Sequence, residues 1–383
     1  FCCFLVVFFT FYIIVCRVVE MRIKLYSTII FGLLLWCLYV VFFRNTSLGN
    51  YPSSNGKNFN KYMYRNHPVV NIALVVCGHR LQESLAMIKS VILYNQYNEE
   101  SLYFWIFAED KLKPEFDERL SEWRSLKHFD FDIKPLTFPT INQREWKTLF
   151  KPCASQRLFL PLLLPEVDSV LYVDTDVIFL SPISDIWQYF YRFNTTQFAA
   201  LTAEHEDENI GWYNRFARHP YYGKTGVNSG VMLMNLTRMR INKWVSRIVP
   251  IYNEYKLRIT WGDQDIINVF FYYNPEALLL LPCQYNYRPD HCMYINLCNV
   301  TMDGIQILHG NRGYFHSNKQ PLFKAVYNAV ENYKIGTNPY FDFLIPLKAT
   351  LNENQVKETN CGMLSKETLL IAEKIFGRYQ KDT

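Results

Sequence analysis

Apolar and polar positions alternate with different periods along this chain. Residues 1–16 and 25–43 are almost continuously apolar. Residues 45–67 are polar and rich in Asn, Ser, Gly and Lys, the composition of a stem or linker. From residue 69 short apolar runs alternate with amphipathic stretches. Residues 69–77, apolar but for Asn71 and followed by Gly78, predict a buried strand. Within 82–94, Leu85, Ile88, Ile92 and Leu93 recur at helical spacing. Residues 102–108 predict a strand, and 114–123 a helix with Pro114 at its start. Residues 129–133 predict a short strand, 155–164 a helix and 169–173 another buried strand. This β-α-β-α-β order predicts an α/β fold with a Rossmann-like, largely parallel sheet. Ligands of such sheets bind beyond the carboxyl ends of the strands. Further on, residues 204–225 form a loop rich in aromatics, Arg and His. Residues 228–235 predict a strand, and 263–272 a helix with Asp263 and Asp265 favourably in its first turn. A strand at 306–308 leads into His309-Gly310-Asn311, and a helix follows at 320–333. The tail, 338–383, is expected to end in a charged helical segment packed on the surface.

The run 25–43 follows Met21, Arg22, Ile23 and Lys24 and is closed by Arg44. At about 1.5 Å per residue it is long enough to cross a bilayer core of about 30 Å. It lacks a small-residue cleavage site, so residues 21–44 are expected to form a cytoplasmic stub and a transmembrane signal-anchor. The chain opens with Phe1, and Met21 is the expected start, with residues 1–20 an extension. Glycan acceptor motifs stand at Asn45, Asn194, Asn235 and Asn299. Cys77, Cys153, Cys283, Cys292, Cys298 and Cys361, an even set, suit disulfides in an oxidising lumen. A zinc site built on Cys283, Cys292, Cys298 and His291 is the alternative, but no C-x-x-C pair is present. A single-pass type II membrane protein of the endoplasmic reticulum or Golgi, with its large part lumenal, is therefore expected. A net charge of +5 over 383 residues, with both signs interspersed, gives no footprint for nucleic acid. A hydrophobic share of 50% supplies a sizeable core.

Asp174-Thr175-Asp176 follows the apolar Leu171-Tyr172-Val173 and precedes Val177-Ile178-Phe179. Paired carboxylates at the end of a buried strand are costly unless something neutralises them. A divalent cation does so, and carboxylate oxygens suit Mg²⁺ or Mn²⁺, either of which can bridge a diphosphate. A metal phosphohydrolase of the haloacid-dehalogenase kind also places D-x-D after a strand. It wants Thr or Val where this chain has Ile178.

The segment from Tyr172 to Phe179 resembles the D-x-D strand of the glycogenin-like retaining glycosyltransferases, family eight, with the GT-A fold. Three further blocks agree in order and spacing. Asn228-Ser229-Gly230 and its strand are similar to the family's N-x-G strand, Gly262-Asp263-Gln264-Asp265 to its D-Q-D helix start, and His309-Gly310-Asn311-Arg312 to its late histidine motif. Glu204-His205-Glu206 and the loop from Gly211 to Gly230 resemble one subfamily, the glucoside xylosyltransferases. The resemblance runs over residues 69–333. It implies a GT-A nucleotide-diphospho-sugar transferase fold with a mixed sheet over 69–335, and a C-terminal extension at 336–383.

The resemblance also implies roles. Asp174, Asp176 and His309 would hold Mn²⁺, or Mg²⁺, and through it the donor diphosphate. Val76, Cys77 and Gly78 would lie against uracil and ribose, with Arg157 and Thr175 near the donor. Asn228, Ser229, Gly230 and Gly310 would approach the donor as well. Gln264 would support the oxocarbenium-like state; Asp263 would be either a nucleophile or a partner of the sugar hydroxyls. Trp212, Tyr213, Arg215 and Tyr222 would contact an acceptor glucose. The implied donor is UDP-xylose, the implied acceptors O-glucosylated EGF-like repeats of Notch-type proteins, and the reaction a retaining α-1,3 xylosyl transfer. A transferase of another UDP-sugar and a catalytically silent carbohydrate-binding protein are the rivals. The family's Lys-Pro-Trp is absent, Lys319-Gln320-Pro321 being the nearest match, and the segment from Arg238 to Trp244 is short for the subfamily.

Overall fold

The computed structural model describes residues 69–378, apart from 99, 141–142, 150–153 and 295. All of them belong to one compact unit, Asn66–Thr383. The expected anchor, the stem, the acceptor motif at Asn45 and Cys153 lie outside the described residues. Among the described residues no helix is long and apolar enough to cross a membrane.

The first half forms as the apolar periodicity demands. Strands Val69–Val76 (β1), Ser101–Ala108 (β2), Phe129–Pro135 (β3) and Ser169–Val173 (β4) follow in order, with helices Leu81–Asn95 (α1) and Lys113–Leu126 (α2) between the first three. The expected helix at 155–164 is a 3₁₀ segment, Ala154–Phe159, and one turn, Leu160–Leu163. Pro161 has no N–H to give the carbonyl of Arg157, which costs a helix through this point one of its hydrogen bonds. Beyond β4 come Val177–Phe179 (β5), Ala199–Ala203 (β6), Val227–Asn235 (β7), helices Trp244–Tyr255 (α3) and Asp263–Tyr273 (α4), then Leu278–Leu281 (β8) and Ile307–His309 (β9). Helices Pro321–Asn332 (α5), Ile345–Leu351 (α6) and Ser365–Phe376 (α7) close the chain.

The main sheet has the order β3-β2-β1-β4-β7-β6-β8. The first four of these strands are mutually parallel, β7 is antiparallel to both its neighbours, and β8 is parallel to β6. One reversed strand thus makes the sheet mixed. Its reversal carries Asn228, Ser229 and Gly230, at the start of β7, to the same edge as the carboxyl ends of β1, β4 and β6. The strand order turns back between β1 and β4, the place where such sheets open a ligand crevice.

Both faces of the sheet are covered, which is why its strands read as nearly continuous apolar runs. Ile72, Leu74, Leu171 and Val173 point into one cluster with α1 and the C-terminal helices. Ala73, Val75, Val170 and Tyr172 point into the other, with α3 and α4. The tail is not mere surface packing: Phe343, Leu347, Leu351 and Phe376 are buried in the first cluster. The Tyr94 ring of α1 lies 6.1 Å from that of Phe343 and 5.2 Å from that of Phe376.

Disulfides join Cys283 to Cys298 and Cys292 to Cys361, and Cys77 is disulfide-bonded too. The zinc alternative for these cysteines falls with that pairing. Asn194 and Asn299 are exposed. Asn235 is instead the N-cap of helix Leu236–Ile241, its Oδ1 accepting from the backbone N–H of Arg238 at 2.8 Å. Its Nδ2, the atom that a glycan would take, donates to Ser169 Oγ at 3.3 Å. The short stretch after it turns through Lys243, whose φ of 54° is left-handed, directly into α3.

Candidate active site

A cavity of about 430 Å³ opens at the strand edge where β1, β4 and β7 meet. Its floor is built from backbone register. The N–H of Asp174 donates to the carbonyl of Gly230 across β4 and β7 at 2.8 Å. The D-x-D then runs directly into β5, which pairs antiparallel with β9 so that Val177 stands opposite His309. The N–H of Gly310 donates to the carbonyl of Asp176 at 2.8 Å. A sequence gap of more than a hundred residues is closed by that two-stranded ladder.

Asp174, Asp176 and His309 each offer a ligand atom, and these atoms all lie within 4.8 Å of one another. His309 Nε2 is 3.4 Å from Asp176 Oδ1. Its Nδ1 faces Asn286 Oδ1 at 2.8 Å. Two hard carboxylates and one imidazole nitrogen fit a divalent cation of the Mn²⁺ type. A Cβ on Gly230 would come within 2.3 Å of His309 Cε1, so this glycine makes room for the histidine ring. Gly310 likewise makes room for the Phe315 ring, which a Cβ would meet at 2.5 Å. Neither glycine lines the cavity.

Arg157, 6% exposed, ties the site together. Its Nη2 lies 3.0 Å from Asp174 Oδ1 and its Nε 2.5 Å from Asp263 Oδ2. Nη1 donates to the carbonyl of Ser229 at 2.6 Å, and the guanidinium sits 4.4 Å from the Tyr172 ring centroid. Burial works against the charge of Arg157, but Asp174 and Asp263 outweigh it and raise its pKa. Burial pushes the Asp263 carboxyl above its ordinary value, and Arg157 pulls it back. Tyr172 donates from its hydroxyl to Asp174 Oδ1 at 2.9 Å.

The D-Q-D block divides its labour. Gln264 lines the cavity; its Oε1 accepts from the N–H of Ser229 at 3.0 Å, and its Nε2 donates to the Tyr213 hydroxyl at 3.2 Å. Asp265 is fully buried and accepts from the N–H groups of Thr260 and Trp261 at 2.6 and 2.7 Å. The Tyr213 hydroxyl donates to Asp265 at 2.8 Å. Tyr213 is therefore not the acceptor platform expected of it. At 1% exposure it lies under the loop and holds Gln264 and Asp265 in place.

The remaining expected residues sort clearly. Cys77, Gly78, Thr175, Asn228, Ser229 and Trp212 line the cavity. Val76 is buried in the core while its neighbour Val75 faces the cavity, because successive strand residues point to opposite sides. Arg215 reaches over the Phe216 ring, and Tyr222 packs against the core; neither lines the cavity. Lys319 is exposed and lies outside it. Sequence reasoning gave no site role to Glu204 and Arg312, though both stand in its motif blocks, and passed over Arg80 and Trp261; all four line the cavity. Glu204 immediately follows β6, and the strand-end rule that pointed to Asp174 applies to it equally. Trp261 meets Trp212 at 5.4 Å and 71°. Arg80 forms an ion pair with Glu83 and lies 3.8 Å from Asp176.

Residues 62–309 match the family described as glycosyl transferase family 8. The chain is 49% identical to Glucoside xylosyltransferase 1 of Homo sapiens over 336 residues, 84% of this chain and 75% of that protein. It is 49% identical to Glucoside xylosyltransferase 2 of Mus musculus over 327 residues, 82% of this chain and 72% of that one. Among solved structures, the galactosyltransferase LgtC in complex with donor and acceptor sugar analogs matches with a TM-score of 0.51 at 16% identity. That match covers 68% of this chain and 95% of LgtC, and is a likeness of fold alone.

Proposed function

The chain belongs to glycosyl transferase family 8, and from that premise we propose that it transfers xylose from UDP-xylose to a protein-bound O-linked glucose, forming an α-1,3 linkage with retention. The observation that carries this reading is the convergence of Asp174, Asp176 and His309 with Asp263 and Gln264 on one cavity, in a chain about half identical to proteins named glucoside xylosyltransferase. The acceptor we propose is an O-glucosylated EGF-like repeat.

Asp174, Asp176 and His309 Nε2 would hold the metal, and an imidazole ligand favours Mn²⁺ over Mg²⁺. When bound, the ion supplies positive charge to the departing diphosphate. The chain's own residues do the rest. Asp263, paired to the Arg157 guanidinium, is a weak nucleophile and a good partner for a sugar hydroxyl. Attack therefore comes from the acceptor hydroxyl on the face the diphosphate leaves. The bond from sugar C1 to the phosphate oxygen breaks, the bond from C1 to the acceptor oxygen forms, and the hydroxyl proton leaves with UDP. Gln264, held at both ends of its amide, presents a fixed dipole beside the reacting carbon. Trp212 and Trp261 offer stacking faces to the acceptor glucose.

We further propose a type II orientation in the endoplasmic reticulum or Golgi, with residues 21–44 as the anchor. The disulfides Cys283–Cys298 and Cys292–Cys361, with the exposed acceptor motifs at Asn194 and Asn299, support an oxidising lumen.

The test uses the compact unit Asn66–Thr383, secreted, with Mn²⁺, an O-glucosylated EGF-like repeat and, separately, UDP-xylose, UDP-glucose and UDP-galactose. A pentose-sized mass gain from UDP-xylose alone, absent in Asp176→Asn, is the expected result. A hexose gain would keep the fold and overturn the donor.

A further inference from the structure

Asn286 belongs to none of the sequence blocks, does not line the cavity and is fully buried. It nevertheless stands behind the histidine of the metal site. We propose that Asn286 is a positioning residue that fixes His309 as its Nδ1–H tautomer and so aims the Nε2 lone pair at Asp176 and the cation. The inference rests on the metal site of the proposed function, not on the identity of the sugar.

The hydrogen-bond order leaves little choice. The backbone N–H of Gly230 can only donate, and it meets Asn228 Oδ1 at 3.0 Å. That fixes the Asn228 amide, and its Nδ2 accordingly donates to Glu204 Oε2 at 2.7 Å. Asn286 approaches the same Asn228 Oδ1 at 2.8 Å, so it must do so with Nδ2. Its own Oδ1 is then turned to His309 Nδ1 at 2.8 Å. An amide oxygen only accepts, so Nδ1 carries the proton. A neutral imidazole has one N–H, and Nε2, 3.4 Å from Asp176 Oδ1, is left with a lone pair.

Without that relay the Asp176 carboxylate would draw the proton to Nε2 and block the ligand atom. Asn286 is itself anchored. Arg288 Nη1 donates to its carbonyl at 3.0 Å, and the disulfide Cys283–Cys298 closes the segment that contains both residues. Oriented ligand histidines of this kind typically lose about 10–100-fold in metal affinity when the supporting group is removed.

The experiment has two readouts, neither of them turnover. Long-range ¹H–¹⁵N spectra of the metal-free protein at pH 8, with His309 assigned by its absence in His309→Gln, are expected to show Nδ1 protonated. Titration of Mn²⁺ without nucleotide sugar, followed by the loss of the free-ion electron paramagnetic resonance signal, is expected to weaken about 10–100-fold in Asn286→Leu. An Nε2–H tautomer in the unsubstituted protein would overturn the proposal even if Asn286→Leu does not fold. So would an unchanged Mn²⁺ affinity in folded Asn286→Leu. Normal Mn²⁺ binding and the expected tautomer, with no xylosyl transfer, would count against the proposed reaction alone.

Discussion

The two walls of the cavity are built in different ways. On the proposed donor wall, the end of β4 and the start of α4 carry carboxylates, and a buried guanidinium ties them to the start of β7: Arg157 spans Asp174, Asp263 and the Ser229 carbonyl. On the proposed acceptor wall, residues 204–226 and Trp261 are held by ring contacts, by the buried Tyr213 hydroxyl and by the pairs Glu206–His291 and His219–Asp265. Trp212 meets Tyr213 at 5.1 Å and 89°, and Tyr213 bonds Asp265, Gln264 and Asn268. Sheet register places the residues of the first wall before any ligand arrives. The second wall is placed by what lies beneath it.

Breaking the donor wall should cost most. Arg157→Met leaves Asp174 and Asp263 facing each other without their cation. A loss of about 3–5 kcal/mol is expected in urea denaturation, the scale for removing one partner of a buried pair. Asp263 is already pushed up by burial, so the neutral form is favoured as pH falls. The deficit of Arg157→Met should therefore shrink at acidic pH and grow toward neutral pH. Equal deficits at both would remove Asp263 from the explanation.

Gly230→Ala attacks the same wall by volume. The new Cβ meets the His309 ring and must displace it. Mn²⁺ affinity should fall about 10–100-fold by calorimetry, with a smaller change in thermal midpoint. An unchanged affinity would mean that the ring relocates without losing its metal-facing nitrogen.

The acceptor wall should respond more gently and divide in two. Trp212→Ala should raise the acceptor KM about tenfold and leave the donor KM alone, as loss of one stacking face worth about 1.4 kcal/mol predicts. Tyr213→Phe should lower kcat and stability, by about 1–3 kcal/mol for the bonds it abandons, with little change in acceptor KM. The reverse assignment would return Tyr213 to the surface role that its sequence position suggested.

The smallest expected effect is one of pH. His219 Nε2 lies 3.4 Å from Asp265 Oδ2, beneath the loop. Burial opposes its charge, but Asp265 prevails and raises its pKa. A histidine raised in the folded state contributes stability that is fully present below its unfolded value of about 6.5 and is lost as pH rises through the folded value. Stability should therefore decline over that alkaline-going interval, and His219→Phe should flatten the decline. A decline of the same size in the variant would exclude His219 as its source.

The sequence spelled out the donor wall far better than the acceptor wall. Apolar runs located β1, β4 and β7, and residues just beyond a buried strand have few places to go; Asp174 and Asp176 follow from that, whereas Asn228 opens β7 and was reached through the resemblance. His309 was reached through the resemblance, and the β5–β9 ladder is what brings it to the carboxylates. The aromatic loop has no period that separates an inward ring from an outward one, so Tyr213 and Trp212, adjacent in sequence, could not be told apart. Gly230 and Gly310 drew attention as close-approach residues, yet what approaches them is His309 and Phe315, a matter of packing between distant segments. Asn286 left no trace in the sequence pattern, because its partners come from β7 and β9. Arg157 was legible as a residue but not as a clamp, since its partners lie on β4, β7 and α4.

The most direct test of retaining xylosyl transfer in this cavity is the anomeric configuration of the product. Proton NMR of the xylosylated glucoside, recorded soon after turnover of UDP-xylose with Mn²⁺, should show an α-configured xylose, the configuration of the donor. A β-configured product would contradict attack from the face that UDP leaves and, with it, the arrangement of Asp263, Arg157 and Gln264 around the sugar.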